Sequence, residues 1–135
     1  MLSLSALPSL AVAAEKLSFD TLYKSSGVLG IQYSERALGL RGKPIVIRGF
    51  MAPPLKPESK FFVLTREPVS VCPFCASDAE WPVDIIVVYL QGTLAPVDFT
   101  QRLQVEGRLE IGSWTDPQTG FVSQVRLRES TVSKI

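Results

Sequence analysis

The chain has 135 residues, enough for one hydrophobic core and one domain. Its composition, 46% hydrophobic and 20% charged with a net charge of +1, excludes a largely disordered chain. Acids and bases are interleaved with no basic block, so composition lends no support to a nucleic-acid or anionic-lipid partner.

Residues 1–14 stand apart, because the first charged residue is Glu15. The run reads as an apolar leader meeting a small-residue processing site, with Ala11 and Ala13 at the A-x-A spacing. It is too short, and too broken by Ser and Pro, to span a bilayer. The expectation is therefore a signal-peptide remnant at 1–13, a single domain at 14–135, and a periplasmic or otherwise exported protein. No basic residue precedes the apolar run, so the true start of the chain stays open.

Two brief helices are expected next. Leu17–Tyr23 carries apolar residues at helical offsets with Ser18 as its N-cap, and Ser34–Leu40 runs towards Gly42. Gly27 and Gly30 break the chain between them.

From Lys43 the pattern becomes that of strands. Pro44–Met51 is β-branched and apolar, Phe61–Thr65 follows, and Asp84–Leu90 is apolar enough for burial on both faces. Between the first two, Pro53–Ser59 holds three prolines and reads as a surface loop. Leu103, Val105, Gly107, Leu109 and Ile111 then alternate with Gln104, Glu106, Arg108 and Glu110, which is a half-buried strand. Asp116–Gly120 has turn chemistry, and Phe121–Arg128 returns as the partner, with Ser130–Val132 as its extension. Five strands at this spacing point to a mainly β fold, a small OB-like barrel with short N-terminal helices, or else to a small β-sandwich. In the barrel, Ile45, Ile47, Val63, Ile86, Val88, Leu109 and Val125 form the core.

Both cysteines lie in Cys72-Pro73-Phe74-Cys75, and the chain has no histidine. Three chemistries fit such a pair. It matches a glutaredoxin-type tetrapeptide, which makes Cys72 a nucleophile and Cys75 its resolving thiol. The pair nevertheless lies mid-chain, Pro82 limits any following helix, and Asp78 and Glu80 oppose a thiolate. A thiophilic metal such as zinc or copper is the second reading, with Cys72, Cys75, Asp78 and Glu80 as ligands and Asp84 within sequence reach. The third is an exported disulfide closing a very short loop on the surface segment Cys72–Trp81.

Phe50, Phe61, Phe62, Trp81 and Tyr89 are candidates for a stacking platform, although aromatics on strands more often belong to a core. Asp78, Glu80 and Asp84 have no partner base as catalytic carboxylates. Without histidine, a Ser-His or Cys-His hydrolase is excluded, and no glycine-rich phosphate loop is present.

Three stretches in order carry a family resemblance: Leu40–Pro53 with its Leu40-x-Gly42-Lys43 start and Met51-x-Pro53 end, Phe61–Thr65, and the cysteine segment ending in Trp81-Pro82. Together they resemble a bacterial family of small exported proteins of unknown function, over most of residues 38–110. Members of that family resemble components encoded beside ABC-type transporters, some linked to metal supply. The resemblance implies an exported, non-enzymatic binding or accessory module that assists ABC-type transporter components or metal handling through the cysteine loop. A periplasmic thiol–disulfide oxidoreductase using Cys72 and Cys75 is the enzymatic alternative.

Overall fold

The computed structural model describes residues 13–27, 30–53, 60–69, 84–92, 94 and 97–135. The cysteine segment, the leader and most of the Pro53–Ser59 loop lie outside these residues.

A two-residue strand, β1 (Glu15–Lys16), leads into α1 (Phe19–Leu22). Ser18 caps α1 as the sequence indicates, its N–H donating to Thr21 Oγ1 at 3.1 Å. The segment between the two helices is not a plain break. Tyr23–Gly27 and Gly30–Tyr33 pair antiparallel as β2 and β3, with Tyr23 and Tyr33 stacked at 5.6 Å. Helix α2 (Glu35–Gly39) is capped by Ser34, whose Oγ accepts from Ala37 N–H at 3.0 Å and donates to Thr21 C=O at 2.6 Å. One hydroxyl thus starts α2 and ties it to α1. The chain then turns at Gly42, whose φ of 80° suits glycine, and its N–H donates to Leu109 C=O at 2.8 Å.

The remaining strands are β4 (Pro44–Met51), β5 (Phe61–Thr65), β6 (Ile85–Leu90), β7 (Arg102–Thr115) and β8 (Val122–Lys134). With β1 they form a six-stranded mixed sheet in the order β1-β4-β5-β6-β8-β7, and β4 also pairs with β7. The β1–β4 and β6–β8 pairs are parallel and the others antiparallel. Every residue expected in the core is buried. Alternation sends Ile45, Ile47, Phe62, Leu64, Ile86 and Val88 inward with Leu103, Val105, Leu109, Val125 and Leu127, and Leu17, Leu22 and Ala37 join the same cluster. A smaller cluster of Ala52, Val63 and Ile85 lies under Val69 and Phe121.

Two bulges bend the long β7–β8 hairpin. One extra residue on β8 falls between its partners to Glu106 and Arg108, where Glu129 has φ 52°. One extra residue on β7 falls between Ile111 and Trp114, where Gly112 has φ 119°. Such insertions sharpen local twist and bend a strand. They let β7 pair with β4 at its start while β8 pairs with β6 in its middle.

Candidate functional site

On one side, β4 has a continuous partner in β7 over Pro44–Phe50. On the other, β1 covers only Ile45–Val46 and β5 only Phe50–Met51. A cleft of about 560 Å³ opens over this interval, with Val46 and Arg48 of β4 and Arg102 and Gln104 of β7 on one wall. The N-terminal segment from Lys16 to Thr21 also lines the cleft, together with Arg36, Arg66 and Glu67. The N–H of Leu17 donates to Val46 C=O at 2.9 Å and fixes that segment against the strand. The volume is in the range of small-molecule sites.

The cleft is strongly basic. Lys16, Arg36, Arg48, Arg66 and Arg102 line it against the carboxylates of Asp20 and Glu67. Arg66 is paired with Asp20 at 2.8 Å. Arg36 reaches Glu15 at 3.7 Å and donates to Lys16 C=O at 2.5 Å. Arg48 Nε donates to Gln104 Oε1 at 3.1 Å, across the Arg48–Gln104 register pair, which aims the guanidinium without neutralising it. These bases are scattered along the sequence, and only the strand register brings them together.

The aromatic residues form a second assembly with another purpose. Phe62 faces the core. Phe61 packs on Tyr89 at 5.2 Å and on Phe121 at 5.4 Å, and Tyr89 meets Trp114 edge-on at 5.7 Å. Arg128 lies against both Tyr89 and Trp114, at 4.5 and 4.1 Å from the ring centres, with Arg126 at 5.5 Å from Trp114. The Tyr89 hydroxyl donates to Asp116 at 3.0 Å, and the Arg126 guanidinium donates to the Gly112 carbonyl. These contacts fasten the tip of the β7–β8 hairpin to the sheet. The rings and cations satisfy one another, so the assembly is a clamp more than an open stacking platform. Burial, and then the hydrogen bond to Asp116, push the Tyr89 phenol well above its ordinary range, and burial also raises Tyr33. Burial lowers the Arg126 pKa, opposed by the nearby Glu110 carboxylate.

Cys72, Cys75, Asp78, Glu80 and Trp81 lie outside the described residues. Asp84 is exposed, and its carbonyl accepts from Arg66 N–H at 2.9 Å where β5 and β6 flank the cysteine segment. Among the described residues no three of His, Cys, Asp and Glu gather as a metal-holding group. Among them, too, no helix is long and apolar enough to cross a membrane.

No family model and no curated protein matches the sequence. A solved structure does. It is a DUF3299 family protein from Pseudomonas aeruginosa PAO1, 14% identical, with 91% of this chain and 97% of that chain covered at a TM-score of 0.59. The likeness is one of fold.

Proposed function

We propose that the chain is an exported, non-enzymatic binding module of OB-like form, which takes a small ligand in the cleft between its N-terminal segment and the outer face of β4 and β7. The cleft carries this reading, because it gathers several charged side chains around one concave volume. The OB-like part rests on strand order. From β4 the pairing runs to β5, β6, β8, β7 and back to β4, and this first–second–third–fifth–fourth order supports the OB-like reading. Export rests on the uncharged residues 1–14, and service to ABC-type transporter components rests on the family resemblance.

Thermal denaturation of the full chain against a panel of anionic, neutral and cationic small molecules tests the binding reading. A ligand that raises the melting temperature of the wild type but not of Val46→Trp, which fills the cleft, supports it. The metal reading at Cys72 and Cys75, with Asp78 and Glu80, calls for metal analysis of the reduced protein. Stoichiometric zinc or copper that disappears in Cys72→Ser would support it. Insulin reduction by the wild type that is lost in Cys72→Ser would replace the binding module with the oxidoreductase. Alkylation trapping from intact cells reports the redox state of the pair, and export predicts a disulfide or a protected, metal-loaded pair.

A further inference from the structure

Of the chain's 14 basic residues, five line one cleft, although the net charge is only +1. Two of the five have carboxylate partners, Arg66 with Asp20 and Arg36 with Glu15. Lys16, Arg48 and Arg102 have no ion-pair partner among the described residues, and Glu67 is the one lining carboxylate in the same condition.

The register explains how these three cations converge. Arg48 pairs with Gln104 and Phe50 with Arg102, so Arg48 and Arg102 are diagonal neighbours on adjacent strands, a spacing that long side chains bridge. Lys16 pairs with Val46 in the parallel ladder on the other side of β4 and so flanks the same floor. Gln104 holds Arg48 through Nε and leaves the outer guanidinium nitrogens for a ligand. Cations collected in a concave, partly apolar site attract anions, and the planar guanidinium matches carboxylate and phosphoryl oxygens.

Resting on the reading of this cleft as the binding site, we propose that its ligand is a small polyanion. The ligand carries two or more phosphoryl or carboxylate groups, held by Lys16, Arg48 and Arg102. Three cations against the single Glu67 carboxylate leave a monoanion undercompensating the site. A cleft of about 560 Å³ suits a compact molecule.

Isothermal titration of the full chain with pyrophosphate and with citrate tests this and separates the phosphoryl from the carboxylate source. At least one should bind, with affinity falling as salt rises from about 50 to about 500 mM because the contacts are charge pairs near the surface. Arg48→Gln and Arg102→Gln should each weaken binding tenfold or more, while Arg41→Gln, outside the cleft, should not. Circular dichroism melts of the variants separate loss of binding from loss of fold, and the salt series on the wild type needs no variant. Three results overturn the proposal: binding that is insensitive to both arginines, absence of binding by either anion, or tighter binding of an oligodeoxythymidine. If neither anion binds but a neutral sugar does, and Val46→Trp abolishes it, the anion class fails and the cleft remains a binding site. If no probe binds, both readings fail.

Discussion

Glu110→Gln is expected to destabilise the fold well beyond an ordinary surface change. The Glu110 carboxylate lies 3.0 Å from Arg128 Nε, 3.6 Å from Arg126 Nε and 4.0 Å from Arg108. Arg126 is only 3% exposed, and its Nε has no hydrogen-bond partner, so this carboxylate is the nearest compensation for a buried charge. Glutamine keeps the shape and an acceptor but removes the charge. A charged hydrogen bond exceeds a neutral one by about 1 kcal/mol, which covers the Arg128 contact. Stripping a buried cation of its partner costs about 3–5 kcal/mol in full burial. That figure must be reduced here, because Glu110 is 32% exposed and the Arg126 contact is long. The sum is about 2 kcal/mol, or about 6–8 °C in melting temperature for a chain of this size. Urea denaturation measures it. In an Arg126→Met background the same substitution should cost only about 1 kcal/mol, because the buried charge is gone. A loss below about 0.5 kcal/mol, or an equal loss in both backgrounds, would refute the reasoning.

Two further outcomes are expected. The raised Tyr89 phenol means that the folded state holds its proton more tightly than the unfolded chain. Its contribution is therefore complete below a pH of about 10 and is lost above it, so the urea midpoint of Tyr89→Phe should fall less than that of the wild type as pH rises past about 10. At Gly49 an added methyl group would sit 2.5 Å from the Thr65 carbonyl oxygen and 3.0 Å from Leu64 Cγ. Gly49→Ala should therefore cost about 1–3 kcal/mol by chemical denaturation, and an unchanged midpoint would contradict the close approach of β4 to β5.

The strands were legible where hydrophobic period and punctuation agreed. Pro44–Met51 and Phe61–Thr65 match their expected bounds, since β-branched and aromatic runs there end in Pro, Gly or charged residues. Alternation in β7 gave the buried face correctly as far as Leu109, and Ile111 is half-buried against the same core. Beyond it, Gly112 and Ser113 interrupt the pattern, and the bulge that lets the strand continue to Thr115 has no period of its own. The β2–β3 hairpin was hidden because Lys24, Ser25 and Gln32 give no alternating apolar face and both glycines read as breaks. The cleft was hidden for another reason. Lys16, Arg48 and Arg102 look like isolated surface charges until the β1–β4 and β4–β7 registers place them side by side. A search for basic blocks along the chain cannot see a patch assembled across strands.

The pairing of β4 with β7 also bears on how the chain reaches this state. Pro44 meets Arg108 and Phe50 meets Arg102 only after β5, β6 and their connections have been collected between them. The parallel β6–β8 pair likewise waits for all of β7 to be in place. Loop-closure entropy must be overcome before either ladder returns any stabilisation, so folding belongs on the millisecond-to-second scale of non-local β topologies. Until the ring closes, β4 and β7 both present open edges, and strand-to-strand association between chains competes with folding in that interval. Once β4 is held by β7 along one edge and by β1 and β5 at the two ends of the other, only a short stretch of β4 between them is left for such association.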